Sequence, residues 1–313
     1  MPSSRLALLV SSAYRYAEAS VAENTLRSYQ ADWRSFKGWC EAQAALSLPA
    51  SPATVVLYVA WLADRGRKVP TIEHQLSAIA QAHQLAGLDA PTQHVDVRRT
   101  MKGIRRTLGR TRNAKAALST AELQRLVATC DPGTLAGLRD RALLVLGFAS
   151  SCRRSELVAF DVEDIEATDD GLRVQIARSK TDPEGHGREI GVPYGSHVET
   201  CPVRTLRAWL QAAGIERGPL FCAVDRHDNA QEGRLTDKGV ARIVQRACLR
   251  AGLDATKYAG HSLRRGFATT AAKNGAPRES IKRQTGHRSD AILDRYIEAG
   301  TLFEKNAAAY LGL

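Results

Sequence analysis

Residues 109–117 read GRTRNAKAA, with three basic side chains, no acid and little apolar pattern. Apolar periodicity stops before this stretch and restarts after it, so the chain is expected to build two cores rather than one. A length of 313 residues agrees with two domains of roughly 150 residues each. We expect one domain over residues 1–108, a basic linker over 109–117 that lies along an anionic surface, and a second domain over 118–313.

The first domain carries helical spacing almost throughout. Leu26, Tyr29, Trp33, Phe36, Trp39 and Cys40 fall on one stripe, with Asn24 as its expected cap and Arg27, Arg34 and Lys37 off the stripe. The aromatic residues are expected in the core rather than as base-stacking platforms. Further helices are expected over 53–65, 71–86 and 92–108, each with a proline near its start, giving a bundle of four or five helices.

Charge is uneven between the domains. Residues 1–112 hold 15 Lys and Arg against 8 Asp and Glu, and the remainder 29 against 25. Between residues 97 and 115 there are eight basic residues, Arg98, Arg99, Lys102, Arg105, Arg106, Arg110, Arg112 and Lys115, and no acid. A merely solvated helix face would intersperse Glu or Asp, so this stripe points to nucleic acid. The hydrophobic fraction of 44% and charged fraction of 25% exclude a disordered or fibrous chain. No apolar run is long enough to span a membrane, and the apolar stretch 6–10 is too short for a signal-peptide core. A cytoplasmic, DNA-associated protein with no membrane partner is expected. The six cysteines form no C-x-x-C pair and are expected to be reduced and mostly buried.

In the second domain, Ser119 opens a helix that Asp131-Pro132-Gly133 ends, and 135–148 is strongly apolar. Residues 172–176 and 188–192 alternate with period two around a turn-rich loop, which predicts a β-hairpin. From Thr205 onward the pattern is mainly helical. Four pieces of this domain bear chemistry: Arg153 within SCRRSEL, Lys180 near the hairpin tip, His261 and Arg264 within HSLR, and Gly286-His287 followed by Tyr296. Each alone is weak, since an Arg with a Glu three positions later is usually a salt bridge and a late tyrosine is usually packing.

In this order and spacing the four pieces resemble the tyrosine recombinase (phage integrase) family. The stretch TLRSYQADWRSF at residues 25–36 is similar to that family's core-binding domain, and SKTDPEGHG resembles a Cre-like subgroup. Three positions depart from the common pattern: Ser151-Cys152 stand where Gly-Leu is common, Thr285 where Leu is common, and Ile297-Glu298 where Thr-His is common. The resemblance implies an N-terminal all-α core-binding bundle that binds DNA and a C-terminal, mainly α catalytic domain with a small antiparallel β-sheet.

Breaking a phosphodiester without a metal needs a nucleophile, cations for the non-bridging oxygens and an acid for the leaving oxygen. Tyr296 suits the first role, and the planar forks of Arg153 and Arg264 suit the second. The resemblance implies that His261 moves the proton at the tyrosine, Lys180 protonates the 5′ oxygen, His287 hydrogen-bonds the phosphate and Glu156 holds the arginine arrangement. No cofactor or metal is expected, and the sequence has no phosphate-binding GxxxxGK[ST] motif. The acids Asp161, Glu163 and Asp164 are expected to be exposed rather than a Mg²⁺ site.

The implied function is site-specific recombination or integration through a 3′-phosphotyrosyl link and a Holliday junction. The implied partners are double-stranded DNA with paired inverted-repeat half-sites and a homotetramer on two DNA sites. A non-cleaving DNA-binding regulator on the same fold and a type IB topoisomerase-like enzyme are the alternatives. Beyond Tyr296, Leu302, Phe303, Ala307, Tyr310 and Leu311 give an apolar helical face that either packs on its own catalytic domain or, as the resemblance implies, is exchanged between protomers. The sequence offers no obvious additional N-terminal DNA-binding arm, which favours a recombinase needing few helpers.

Overall fold

A computed structural model of the chain describes residue 12, residues 23–109, 115–177, 182, 187–302, 308 and 311. Arg110, Arg112, Lys180, Phe303, Ala307 and Tyr310 lie outside the described residues. The chain divides into two compact units, Met1–Asn113 and Ala114–Leu313.

In the first unit, helices α1 (Glu23–Ala42), α2 (Pro52–Asp64), α3 (Val69–Leu85) and α4 (Val95–Leu108) surround one core. Phe36 and Cys40 from α1, Val55, Tyr58 and Leu62 from α2, Ile72 and Ile79 from α3, and Val97 and Met101 from α4 fill it. Trp33, Trp39 and Trp61 pack at its edge, so with Phe36 and Tyr58 these aromatic residues serve packing. Ser51 caps α2 by accepting from the Thr54 amide at 3.0 Å, and prolines occupy the first turns of α2 and α3, where a missing N–H costs nothing.

Two local expectations need correction. Asn24 does not cap α1, because the helix is already under way at Glu23. The helix expected over 92–108 is interrupted. Pro91–Gln93 forms a separate 3₁₀ turn, and His94 is extended because its Nδ1 accepts from the Asp96 amide and caps α4.

The second unit begins with α5 (Thr120–Ala128), where Ser119 and Glu122 form a reciprocal capping box. Helix α6 (Leu135–Ala149) is buried on two sides because two cores share it: Ala142, Leu143 and Leu146 face one, Leu144 and Val145 the other. After the short α7 (Arg154–Ala159), strands β1 (Ile165–Ala167), β2 (Gly171–Ile176) and β3 (Arg188–Pro193) form an antiparallel sheet in that order. Leu172 pairs with Val192 and Val174 with Ile190, turning all four side chains to the core.

Helix α8 (Pro202–Ala213) covers this core. A second hairpin, β4 (Cys222–Val224) with β5 (Ala230–Arg234), interrupts the mainly helical stretch beyond Thr205. It forms although β5 is polar, because Arg234 donates to the Val158 and Phe160 carbonyls and pairs with Asp161 at 2.6 Å. That pairing also removes Asp161 from any acidic site.

Helices α9 (Asp237–Arg250), α10 (Gly260–Lys273), α11 (Arg278–Thr285) and α12 (Asp290–Thr301) complete the unit. Ala268, Ala272, Ile281 and Leu293 make a small separate core that holds α10, α11 and α12 together, with Tyr296 at its edge. All six cysteines are buried. Among the described residues, no helix is long and apolar enough to cross a membrane.

Candidate active site

The second unit gathers six of the expected residues, Arg153, Glu156, His261, Arg264, His287 and Tyr296, around the N-terminus of α10. Arg153 stands just before α7, where its amide and guanidinium both bond Glu156, at 2.9 and 2.5 Å. Glu156 is 3% exposed, so its carboxylate needs these donors. Arg188 from β3 approaches it at 3.8 Å.

One turn of α10 separates His261, exposed, from Arg264, which is 1% exposed. The Arg264 fork donates to the Ser151 carbonyl at 2.7 Å and to Nε2 of His287 at 3.1 Å. Ser151 turns its carbonyl that way from a left-handed conformation, φ 56°, at one of the positions where Gly is common in the family. Burial, then the repulsion of Arg153, lowers Arg264 to about 10, so it remains charged at neutral pH.

His287 follows the C-terminus of α11. Gly286 reverses the chain there with φ 63°, and a β-carbon would meet the Arg188 guanidinium at 2.8 Å. Arg188 itself donates to the Arg283 and Gln284 carbonyls at 3.3 and 2.9 Å, which ties the hairpin to this turn. In this structure Nε2 of His287 is occupied by Arg264 rather than left for a phosphate, because the buried guanidinium needs an acceptor.

Tyr296, on α12, completes the cluster. Its hydroxyl lies 3.4 Å from Nε2 of His261, and its ring packs against His287 at 5.5 Å and beneath Arg265 at 5.7 Å. Loss of hydration and the repulsion of Arg264, Arg265, Arg153 and Arg154 push His261 down to about 4. The residue as a whole is exposed, so the four cations are the firmer cause. His261 is therefore neutral at physiological pH and has a lone pair available to a phenolic proton.

The structure adds Arg188, Arg265, Ser151 and Thr285 to the residues singled out in the sequence. Ser151 and Thr285 stand out there only as departures from a common pattern. Arg265 directly follows Arg264, and Arg188 lies within the alternating strand, where nothing local marks it.

On the first unit, Arg98, Arg99, Lys102 and Arg106 are exposed on the side of α4 opposite Val97 and Met101. Arg105 is half-buried and pairs with Glu73 at 2.8 Å, so the stripe is less uniform than its text. Arg27, Arg34 and Lys37 are exposed on α1. In the second unit, the Lys115 ammonium is held by the Thr256 carbonyl at 2.6 Å.

A fold of this kind, with a cluster of arginines and a tyrosine at its edge, defines a class of DNA strand-transfer enzymes. The profile described as the phage integrase family matches residues 116–301, and the chain belongs to that family, the tyrosine recombinases. An integrase/recombinase XerD homolog of Selenomonas ruminantium is 43% identical over 298 residues, covering 94% of this chain and 87% of that protein. Recombinase cre of Escherichia phage P1 is 25% identical over 296 residues, covering 88% and 84%.

Among solved structures, the Tn1549 transposon integrase in complex with transposon right end DNA superposes with a TM-score of 0.64, 12% identity and coverage of 95% and 98%. A lambda integrase(75-356) dimer bound to a COC′ core site gives 0.61, 16% identity, and 93% and 94%. These two establish the fold.

Proposed function

We propose that this chain cleaves and rejoins DNA strands at a specific site through a 3′-phosphotyrosyl intermediate and a Holliday junction, with neither metal nor ATP. The observation that carries this reading is the 3.4 Å approach of the Tyr296 hydroxyl to His261 among Arg153, Arg264 and Arg265.

Tyr296 Oη attacks phosphorus, so an O–P bond forms and the bond from phosphorus to the 5′ oxygen breaks. The phenolic proton passes to Nε2 of His261, which its arginine neighbours keep unprotonated until then. Lys180 gives the departing 5′ oxygen its proton. Arg153 and the remaining N–H groups of Arg264 meet the charge that builds on the non-bridging oxygens. Glu156 holds Arg153, and His287 holds Arg264. The phosphotyrosine keeps the energy of the broken bond, so a 5′-hydroxyl can reverse the step without ATP.

In this reading the first unit is the DNA-binding, core-binding domain, and Arg98, Arg99, Lys102 and Arg106 contact backbone phosphates. DNA in the two solved relatives described above supports it. The working assembly is a homotetramer on two DNA sites with paired inverted-repeat half-sites, in the cytoplasm on DNA. Leu302 and Leu311 are 60% and 68% exposed, as residues of a segment exchanged with a neighbouring copy would be.

The test is a DNA substrate nicked so that the 5′-hydroxyl leaves by diffusion. The full chain should form an SDS-resistant protein–DNA adduct, and Tyr296→Phe should bind the DNA equally well without forming it. A wild-type chain that binds and forms no adduct would make this a non-cleaving regulator. Relaxation of supercoiled DNA without exchange of strands between sites would instead place it with the topoisomerases.

A further inference from the structure

Thr285, the last residue of α11, is fully buried. Its Oγ1 lies 2.8 Å from the Ile281 carbonyl and 2.8 Å from Nδ1 of His287. The other ring nitrogen of His287 faces Nη2 of Arg264 at 3.1 Å. A guanidinium has only donors, so Nε2 of His287 must be unprotonated to receive it. In a neutral ring the proton then sits on Nδ1. Nδ1–H donates to Thr285 Oγ1, and the single hydroxyl hydrogen of Thr285 is left for the Ile281 carbonyl. One assignment of hydrogens satisfies all three groups. The opposite tautomer sets N–H against N–H at Arg264.

From this chain of bonds we infer that Thr285 is a positioning residue that locks His287 in the Nδ1–H tautomer and thereby aims Arg264. The inference rests on the proposed role of Arg264 in strand cleavage, but the tautomer itself does not. Burial together with Arg264 and Arg153 pushes His287 down to about 3, in keeping with a ring that stays neutral. The Leu common at this position in the family has no group that could accept from Nδ1. This chain therefore fixes the histidine by a hydroxyl. Without it, a ring that is 9% exposed has a buried donor with no partner. The ring would then turn or change tautomer and release the guanidinium.

Nitrogen-15 NMR of histidine-labelled full-length protein at neutral pH reads the tautomer directly, with His287 assigned by comparison with His287→Asn. The wild type should show a neutral ring protonated at Nδ1. Thr285→Ser keeps the hydroxyl and should keep that signature. Thr285→Val, matched in shape, should lose it. On the nicked substrate, Thr285→Val should cleave roughly tenfold more slowly at unchanged DNA affinity, and Thr285→Ser should stay within about twofold of wild type.

A wild-type ring protonated at Nε2, or at both nitrogens, overturns the inference. So does Thr285→Val that keeps both the Nδ1–H signal and the wild-type rate. Should Thr285→Val fail to fold, the wild-type and Thr285→Ser spectra still decide the tautomer and its retention. Absence of all cleavage in the wild type would sink the proposed reaction and leave the spectroscopic result standing.

Discussion

Gly300 of α12 lies against Thr269 of α10 so closely that a β-carbon would stand 2.5 Å from the Thr269 carbonyl oxygen. Tyr296 is one helical turn earlier on the same helix, and the 3.4 Å approach of its hydroxyl to His261 is made across this same helix pair. Gly300→Ala must therefore push α12 outward and carry Tyr296 away from His261. We expect cleavage of the nicked substrate to fall by at least about tenfold with DNA affinity unchanged, since misplacement by about an ångström is costly to a positioned nucleophile. Wild-type cleavage by Gly300→Ala would show that the spacing of these helices does not set the reaction.

Arg153 and Arg264 differ in burial, and their lysine variants should differ accordingly. Arg153 is 18% exposed and bound mainly to Glu156, so Arg153→Lys should cut cleavage by about a hundredfold or more with little effect on stability. Arg264→Lys should cut it as deeply and also destabilise the fold by about 1–3 kcal/mol, because the Ser151 carbonyl or His287 Nε2 is then left without a donor in a buried place. Denaturant unfolding beside the cleavage assay separates the two, and equal stability of both variants would contradict the assigned hydrogen bonds.

Ser151 holds a left-handed backbone, and its buried Oγ has no hydrogen-bond partner among the described residues. Glycine accepts that conformation without strain and removes the orphan hydroxyl, at the cost of more freedom in the unfolded chain. Ser151→Gly should be net stabilising by about 1 kcal/mol, raising the melting temperature by roughly 2–4 °C, with cleavage retained because the carbonyl to Arg264 remains. Calorimetry showing a lower melting temperature would refute this.

The fold class was legible because its signals are local. Alternation at 172–176 and 188–192 specified a hairpin, and Ser119 with Glu122 specified a helix start. Hairpin β4–β5 was hidden because its strands are short, β5 is polar, and β5 depends on Arg234 reaching Val158 and Phe160, more than seventy residues away. The split before α4 was hidden because a histidine cap is a weak signal beside a continuous apolar period.

The text of SCRRSEL, HSLR and GH-x(8)-Y named the residues that the fold brings together but carried no information on depth. That Arg264 is nearly sealed while His261 is exposed follows from α10 packing against α6 and from the Ser151 turn. Arg188 acts through a contact between a strand and a distant helix end, and Thr285 through a side-chain bond across a glycine turn whose effect reaches Arg264. No spacing rule reaches such pairings.

On the first unit, phosphate binding should track exposure rather than sequence. Replacing Arg98, Lys102 and Arg106 with Gln should weaken binding to all DNA sequences alike and lower the log–log salt slope by about 0.9 for each phosphate no longer neutralised. Arg105→Gln should change the slope less, because its guanidinium is engaged by Glu73. A triple variant with an unchanged slope would place the DNA on another face.

The last expectation concerns acid. His287 is held near 3, well below the ordinary 6.5, by burial and by Arg264, Arg153, His261 and Arg188. The fold therefore favours the neutral ring and the unfolded chain binds the proton more readily. The stability this contributes is fully present above about pH 6.5 and disappears as pH falls from there toward 3. Between pH 7.5 and 5 the decrease from this one group should be about 2 kcal/mol. The protonated ring would also set Nε2–H against the Arg264 guanidinium, so the site should open before the rest of the unit unfolds. His287→Asn should be less stable than wild type at pH 7.5 and should decline less steeply toward pH 5 in urea unfolding. Parallel curves for the two proteins would mean that His287 is not the group taking up the proton.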